Sequence, residues 1–503
     1  MKKKLITFNK FNHIKNKNNL KKIVLCHGVF DVLHFGHIRH LEAAKNYGDT
    51  LIVSITSDKY VNKGPGRPYF KLQNRLETIS AIECVDYIIV SDFPDAINII
   101  KLVKPDYYCK GLEYKFSKKD ITKKILKEKK AVESFKGKII YTNEETYSSS
   151  KLIKNNLNFN TPQNKFLRTK LKNINFKHIE TTINKFKDLN ILLIGEAIID
   201  EYVFCDPVGK SGKESLLVFK ELKTEKYIGG SLAIANTLSN FCKSVTLICS
   251  IGEKKEHISF IRDNMNKNIN LKFVYKKNSP TIVKKRFVDQ IDNRKILGVY
   301  SLIGDNLNKK DQSLLNQSIL KYSKKNDLVI TVDYGHGLIS NSTSKIISKL
   351  NKFKTINAQL NSFNIGDHSL RKYQTINCIV INESELRHEL RNQSDTVKDL
   401  MKDLFKIIKF KFLIVTQGRN GAILYDSDAK KYFEIPAFGI SIKDKIGAGD
   451  NMLSLLSMSL FQKNDIYLSL LLGSIASAFS VSTLANKDII SQQNILKTLK
   501  HLL

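Results

Sequence analysis

The chain has 503 residues, 42% of them hydrophobic, and a formal net charge of +34. That length exceeds one ordinary core and predicts two or three domains. The apolar fraction excludes a disordered chain. Lys and Arg are dispersed, with no aromatic-interleaved basic stripe, so no nucleic-acid partner is expected. The charge reads as solvated helix faces that still draw anions toward clefts.

In chain order, residues 1–21 read as a polar leader without the long apolar core of a signal peptide. An apolar strand opens at Lys22–Val24, and strand-like runs follow at Leu51–Ser57 and Tyr87–Val90. Helical patterns lie between them at Ile38–Asn46 and Gln73–Glu83. Such alternation predicts an α/β domain with a parallel sheet, here over 22–153. Residues 154–187 are polar and basic and read as a linker with some helix. A second α/β domain is predicted over 188–503, with strands at Ile191–Gly195, Ser244–Ser250, Leu328–Val332, Cys378–Ile381 and Phe412–Thr416. The apolar run Tyr467–Ala485 is serine-rich, which favours a buried helix pair over a membrane span. The cysteines form no CxxC pair and read as reduced thiols of a cytoplasmic protein.

Two runs carry chemistry. His27–His37 reads HGVFDVLHFGH. It places a glycine turn after a strand and two histidines, His34 and His37, three apart on the first turn of a helix. Helix N-termini attract phosphate. Two imidazoles there can stabilise charge at an α-phosphate during in-line attack. Residues 22–153 resemble the cytidylyltransferase-like nucleotidyltransferases, matching at Gly28, Phe30, Asp31, His34, Gly36 and His37. Further matches follow at Ser57–Asp58, Lys63 before a GPGRP turn, Arg75, the Pro105–Gly111 stretch with Lys110 and Gly111, and the YSSSK segment with Ser148, Ser149 and Ser150. The resemblance implies that His34, His37 and Lys63 are catalytic and that the other motif residues bind nucleotide. The implied reaction is attack of a sugar or alcohol phosphate on ATP or CTP, with Mg²⁺ screening charge and pyrophosphate leaving.

The second run, Lys445–Asn451, reads KIGAGDN. Gly447 and Gly449 allow close backbone packing at a helix N-terminus, and Asp450 could accept a hydroxyl proton. Residues 190–503 resemble the ribokinase-like (PfkB) carbohydrate kinases, which have an α/β/α body with a small β lid. Gly195, Glu196 and Asp200 match the opening strand, and Gly229 and Gly230 match a glycine turn at the sugar. Asp333–Gly337 matches a segment of heptose-phosphate kinases. Asn382 and Glu385 match a pattern associated with Mg²⁺, and Thr416, Gly418 and Gly421 match the nucleotide turn. Gly447, Ala448, Gly449 and Asp450 supply the anion hole and base. The resemblance thus makes Asp200, Gly229, Gly230 and Asp333 substrate-binding. Departures are Ala233 in place of an Asn, with Asn236 nearby; Lys445–Ile446 before the GAGD element; and Asn357–Gln359 in place of a Pro–Lys. The run Gly209–Glu214 lacks P-loop spacing and reads as a loop near the lid.

Together the domains resemble the bifunctional heptose-phosphate kinase/adenylyltransferases in reversed order. The resemblance implies ATP-dependent phosphorylation of a sugar phosphate and nucleotidyl transfer to a sugar 1-phosphate, with a homodimer formed through the lids. Two alternatives stay open. One is nucleotidyl transfer alone, to a glycerol-phosphate-like acceptor, beside a kinase-like domain that only binds sugar. The other is a basic nucleic-acid-binding protein.

Overall fold

The computed structural model describes residues 4–17, 22–61, 67–112, 124–142, 161–291, 294–361, 363–366, 368–439, 444, 446–482 and 490–502. It divides into two compact units. One comprises Met1–Asn164 with Leu496–Leu503, and the other Lys165–Ile495.

The first unit is built on a five-stranded parallel sheet: β1 (Ile23–Gly28), β2 (Thr50–Thr56), β3 (Tyr87–Ser91), β4 (Tyr107–Gly111) and β5 (Lys138–Thr142), in the order β3-β2-β1-β4-β5. The near-continuous apolar runs of β1 and β2 suit strands covered on both faces. Helices Phe35–Lys45, Leu72–Ser80, Ile97–Val103 and Lys124–Glu133 alternate with them. The expected polar leader is part of this unit. Leu5 bridges Ile88, and helix Phe8–Lys17 buries Phe11 fully in a cluster with Ile23, Leu25 and Ile100.

The second unit contains β6 (Asn190–Lys210), β7 (Leu217–Gly230), β8 (Ser244–Gly252), β9 (Ile269–Lys276), β10 (Ile282–Asp289), β11 (Lys295–Ser301), β12 (Leu328–Asp333), β13 (Phe353–Ala358), β14 (Thr375–Asn382), β15 (Lys409–Thr416), β16 (Ala422–Asp426) and β17 (Lys431–Ile435). The first half of β6 pairs in parallel with β8 and β12, in a central sheet that continues through β13, β14 and β15 to the antiparallel β16 and β17. Its second half leaves that sheet and pairs with β7 and β10, and β11 pairs with β10. These four strands form a lid. The Gly209–Glu214 run turns at the tip of the β6–β7 hairpin, which agrees with the loop reading.

Part of the expected linker is helical, and from Lys165 onward it belongs to the second unit. Helices Pro162–Lys170 and Phe176–Lys185 are amphipathic, and Phe166 meets Phe438 and Tyr467 edge-on at 6.3 and 5.7 Å. The apolar C-terminal run forms helix Ile466–Val481 against helix Ala448–Phe461. Gly473 allows their approach, since a Cβ there would lie 3.0 Å from Met452 Cγ. No helix among the described residues is long and apolar enough to cross a membrane.

Phe11→Ala tests whether the leader belongs to the core. Removing a fully buried aromatic should destabilise the first unit by about 3–5 kcal/mol. Urea unfolding followed on that unit should show it, and an unchanged midpoint would mean that the helix is dispensable.

Candidate active sites

In the first unit the strand order reverses between β1 and β4, so a crevice opens beyond their carboxyl ends. The turn leaving β1 enters it from one side, and Lys110 and Gly111 end β4 on the other. The turn is tightly wound: Phe30 and Val32 have φ of 50° and 52°, and the Phe30 ring packs over Gly28. Asp31 is buried and accepts from Tyr69 N at 2.9 Å and Phe70 N at 3.0 Å, with Arg67 at 3.1 Å. Arg75 is also buried. It donates to the carbonyls of Phe70, Val29 and Thr56 at 3.0, 2.6 and 2.9 Å, and to Asp58 at 2.6 Å.

The two motif histidines cap helix Phe35–Lys45 reciprocally. His34 Nδ1 accepts from Gly36 N at 3.1 Å, and His37 Nδ1 accepts from His34 N at 3.3 Å. A ring nitrogen that accepts carries no proton, so in each neutral ring the proton sits on Nε2. Capping therefore sets the tautomer and leaves Nε2–H as the donor. His34 Nε2 is buried without a partner, and burial lowers the His34 pKa, which favours the neutral imidazole. The two rings lie 4.0 Å apart between centroids.

In the second unit, helix Ala448–Phe461 begins after Gly447, whose φ of +79° forms the turn. A Cβ on Gly449 would meet nothing within 4 Å, so space opens before this helix N-terminus. Ser477 and Ser480 hold the turn from behind through the carbonyls of Ala448 and Ile446. Asp450 faces that space. Tyr334 donates to its Oδ2 at 3.3 Å, and Gln359 Nε2 lies 3.5 Å from Oδ1. Burial pushes its carboxyl up from 3.8 to about 6, with Tyr334 and Lys284 opposing and Asp200 adding to the rise. On the lid, Asp200 is buried and paired with Arg286 at 2.5 Å. Its Oδ2 lies where a Cβ on Gly229 would stand, 2.2 Å away, so that position must be glycine. Gly230, at φ +54°, turns the chain from β7 into helix Ser231–Ser239.

Residues 188–490 match the family model described as pfkB family carbohydrate kinase. The chain belongs to the pfkB family. Residues 25–155 match the cytidylyltransferase-like model, so each site has its own family match. Among curated relatives, the bifunctional protein HldE of Campylobacter fetus is 38% identical over 120 residues, 24% of this chain and 26% of that protein. HldE of Helicobacter pylori is 35% identical over 139 residues, 27% and 28% of the two chains. The chain thus spans about a quarter of the length of the curated relatives it matches, within the nucleotidyltransferase region. The crystal structure of phosphofructokinase-2 from Escherichia coli in complex with potassium shares the fold of the second unit. It has 16% identity and a TM-score of 0.50, and the match covers 62% of this chain and 99% of that one.

In this pfkB chain the predicted residues divide by environment. Gly28, Phe30, Gly36, His34 and His37 converge on the first crevice, and Asp200, Gly229, Gly230, Gly447, Ala448, Gly449 and Asp450 on the second. Lys110 sits at the first crevice with Glu128 at 3.3 Å. Thr416 ends β15, and Gly418 and Gly421 turn it into β16. The φ of +95° at Gly421, and a Cβ that would lie 1.9 Å from Ile435 O, exclude any other residue there. Asp31 and Arg75, expected at the nucleotide, have their polar atoms engaged in holding the turn. Asp333 is fully buried, bonded to Tyr373 at 2.8 Å, Lys372 at 2.6 Å and Gly335 N at 3.2 Å. Asn382 and Glu385 form a capping box on helix Glu383–Leu390. Glu385 also accepts from Leu360 N at 3.3 Å, and burial raises it to about 7. Asn236 is turned to Asn264 O and Asn266 N. Lys63, Ser148, Ser149, Ser150 and Lys445 lie outside the described residues.

Three further residues brace the sites, and of these Glu196 is already matched to the opening strand of the kinases. Glu196 accepts from the backbone N–H of Tyr334, His336 and Leu338 at 3.2, 3.2 and 3.4 Å, and burial next to Asp333 raises it to about 7. Asp444, buried three residues before Gly447, bonds Tyr202 at 3.1 Å and Lys295 at 2.6 Å, both on the lid. His40, one turn beyond His37, bonds Thr142 at 2.7 Å and is lowered to about 4 by burial and Lys110. Asp444 and His40 are not read from the sequence, where only the spacing of His37 and His40 is a signal.

Asp450→Asn has a thermodynamic signature independent of catalysis. The folded-state pKa is raised, so the folded protein binds this proton more tightly than the unfolded chain. Its stabilising contribution is present below about 4 and is lost as pH rises through about 6. The substitution should therefore raise the unfolding temperature at pH 8 and leave it unchanged near pH 3.5, as scanning calorimetry at the two values can test.

Proposed function

We propose that the protein is a bifunctional sugar-activating enzyme that phosphorylates a sugar phosphate and transfers a nucleotidyl group to a sugar 1-phosphate. One observation carries this reading. A single chain holds two helix N-termini equipped differently for phosphate, one with paired Nε2–H imidazoles and the other with backbone N–H groups beside a carboxyl poised near neutrality. HldE relatives are named bifunctional, which supports extending both activities to this chain.

In the kinase step the sugar sits beneath the lid on Asp200, with Gly229 and Gly230 close to its ring. Asp450 takes the proton of the attacking hydroxyl, and the Gly447–Gly449 backbone receives the transferred phosphoryl group. A carboxyl raised to about 6 is largely ionised at neutral pH while remaining basic enough to accept a proton. ATP lies against the Thr416–Gly421 turn. Mg²⁺ neutralises phosphate charge in such reactions and usually needs one or two carboxylates plus substrate phosphates. Among the described residues no group of three potential ligands forms a metal cage. Glu385 suits that lighter demand, because each of its oxygens carries one backbone bond and keeps a lone pair.

In the nucleotidyl step His34 and His37 donate through Nε2 to the α-phosphate of ATP or CTP while the sugar phosphate attacks in line. Lys110 and Gly111 close the far side of the crevice, and Lys63 and Ser148–Ser150 complete the set. The product is a nucleotide-sugar, ADP-heptose-like, for a surface glycan such as lipopolysaccharide. Seven unpaired cysteines support a cytoplasmic setting. The exposed apolar side chains Leu217, Leu297 and Val299 on the lid support a homodimer formed through it.

A second reading keeps only nucleotidyl transfer. It is favoured by Asn236, which is occupied by the 264–266 backbone rather than turned to the sugar.

Separation of function tests both. His37→Ala should lower pyrophosphate release from ATP or CTP with sugar 1-phosphates by about 10²–10³-fold and leave sugar phosphorylation intact. Asp450→Asn should lower phosphorylation by about 10²–10⁴-fold and spare nucleotidyl transfer. The wild-type kinase rate should fall on the acid side with an apparent pKa of about 6. Absence of any sugar-dependent ATP turnover would leave the second reading.

A further inference from the structure

β10 turns alternate side chains inward, and Lys284 and Arg286 share its buried face. Lys284 is in register with Asp200 of β6, and Arg286 with Tyr202. Arg286 is neutralised by Asp200 at 2.5 Å. Lys284 has no equivalent partner. Although only 9% exposed, its ammonium makes no hydrogen bond or ion pair among the described residues. It rests against the ring faces of Tyr300 at 5.7 Å and Tyr334 at 5.8 Å. Asp200, Glu196 and Asp450 act on it only at a distance, and burial lowers its pKa.

A cation in a mostly buried position without a contacting anion keeps only part of its hydration, and ring faces return only part of what it loses. The position of Lys284 is informative: the Tyr334 ring it covers belongs to the residue whose hydroxyl donates to Asp450. His336 follows two residues later. It is 1% exposed, with both ring nitrogens unpartnered and the ring edge-on to Phe363 at 6.1 Å. The positive charges of Lys284 and Lys276 bear on its imidazole and, with burial, keep it neutral. Around the Tyr334 turn there are thus a cation and, behind it, a buried neutral imidazole that the protein itself leaves unmatched. A sugar hydroxyl could hydrogen-bond Lys284, but it would not balance its charge.

We propose that Lys284, backed by His336, forms a specificity subsite for an anionic substituent of the sugar, a phosphate ester or a carboxylate. This rests on the kinase reading of the site and sharpens it: a charged sugar completes the electrostatics beneath the lid, and a neutral sugar leaves Lys284 without a counter-charge.

Calorimetric binding to the full chain without nucleotide tests the subsite apart from catalysis, with sedoheptulose 7-phosphate, gluconate and neutral sedoheptulose as probes. Sedoheptulose 7-phosphate or gluconate should bind about 100-fold more tightly than the neutral sugar, as expected for a buried charge pair. The better probe of the two identifies the anion. Lys284→Met should reduce its affinity to that of neutral sedoheptulose without weakening the neutral sugar, and Lys284→Arg should restore part of the preference. Equal binding of charged and neutral sugars, no binding of either, or a preference that survives in Lys284→Met would each overturn the proposal. ATP turnover with the same sugars judges the kinase reading separately. Selective binding without turnover keeps the subsite and removes the kinase step. Turnover without selectivity does the reverse. A kcat loss in Lys284→Met that is equal for charged and neutral sugars, with affinities unchanged, would place Lys284 at the transferred phosphoryl group instead.

Discussion

The second unit depends on one strand serving two layers. β6 runs unbroken for 21 residues from the middle of the central sheet into the lid. Alternate side chains of a strand share a face, so Glu196, Asp200 and Tyr202 form a row on one rigid element. Glu196 gathers the three N–H groups of the Tyr334–Leu338 turn, Asp200 meets Arg286 in the lid, and Tyr202 reaches Asp444 before the Gly447 turn. A break in β6 would let these three regions drift independently. Continuity fixes their spacing at strand geometry, the precision that transfer between a hydroxyl and a phosphoryl group requires.

The first unit solves the same problem with a brace instead of a strand. Its reactive turn has two non-glycine residues at positive φ and would not hold that shape alone. Asp31 and Arg75 clamp it from opposite sides using backbone groups of Val29, Thr56, Tyr69 and Phe70. Such residues carry a family motif as strongly as the groups that touch substrate, because losing either would collapse the crevice. A buried guanidinium whose donors point at three carbonyls and a carboxylate has a framing role, and sequence position alone does not reveal it.

That difference sets how much was legible beforehand. The central strands β1, β2, β6, β8, β12, β14 and β15 declared themselves as apolar runs, because both of their faces are covered. The lid strands β7 and β11 did not: most of β7 and all of β11 is exposed, so neither an apolar run nor an alternation exists to be read. The helix of the leader was hidden by averaging, since Phe11 buries one face within an otherwise polar segment. Glycine positions were legible because backbone conformation or close packing leaves few alternatives, as at Gly421 and Gly229. Partnerships were not. Tyr202 and Asp444 are 242 residues apart, Lys295 and Asp444 are 149 apart, and only the folded chain brings them together.

Burial tunes the reactive groups of the two sites in opposite directions. For an imidazole the charged form is the cation, so burial lowers the pKa of His34 and preserves a neutral ring with its proton on Nε2. For a carboxyl the charged form is the anion, so the same loss of solvent raises Asp450 toward neutrality. One site needs a donor that stays protonated at one nitrogen, and the other needs a base that can both lose and regain a proton. Neither requires a dedicated charged partner, and at the second site the nearest cation, Lys284, makes no contact with the carboxylate. Because Lys284 opposes the rise at Asp450, an anion that neutralises Lys284 should raise the Asp450 pKa further. In the proposed kinase step, a bound anionic sugar would in this way make Asp450 a stronger acceptor of the proton of its attacking hydroxyl.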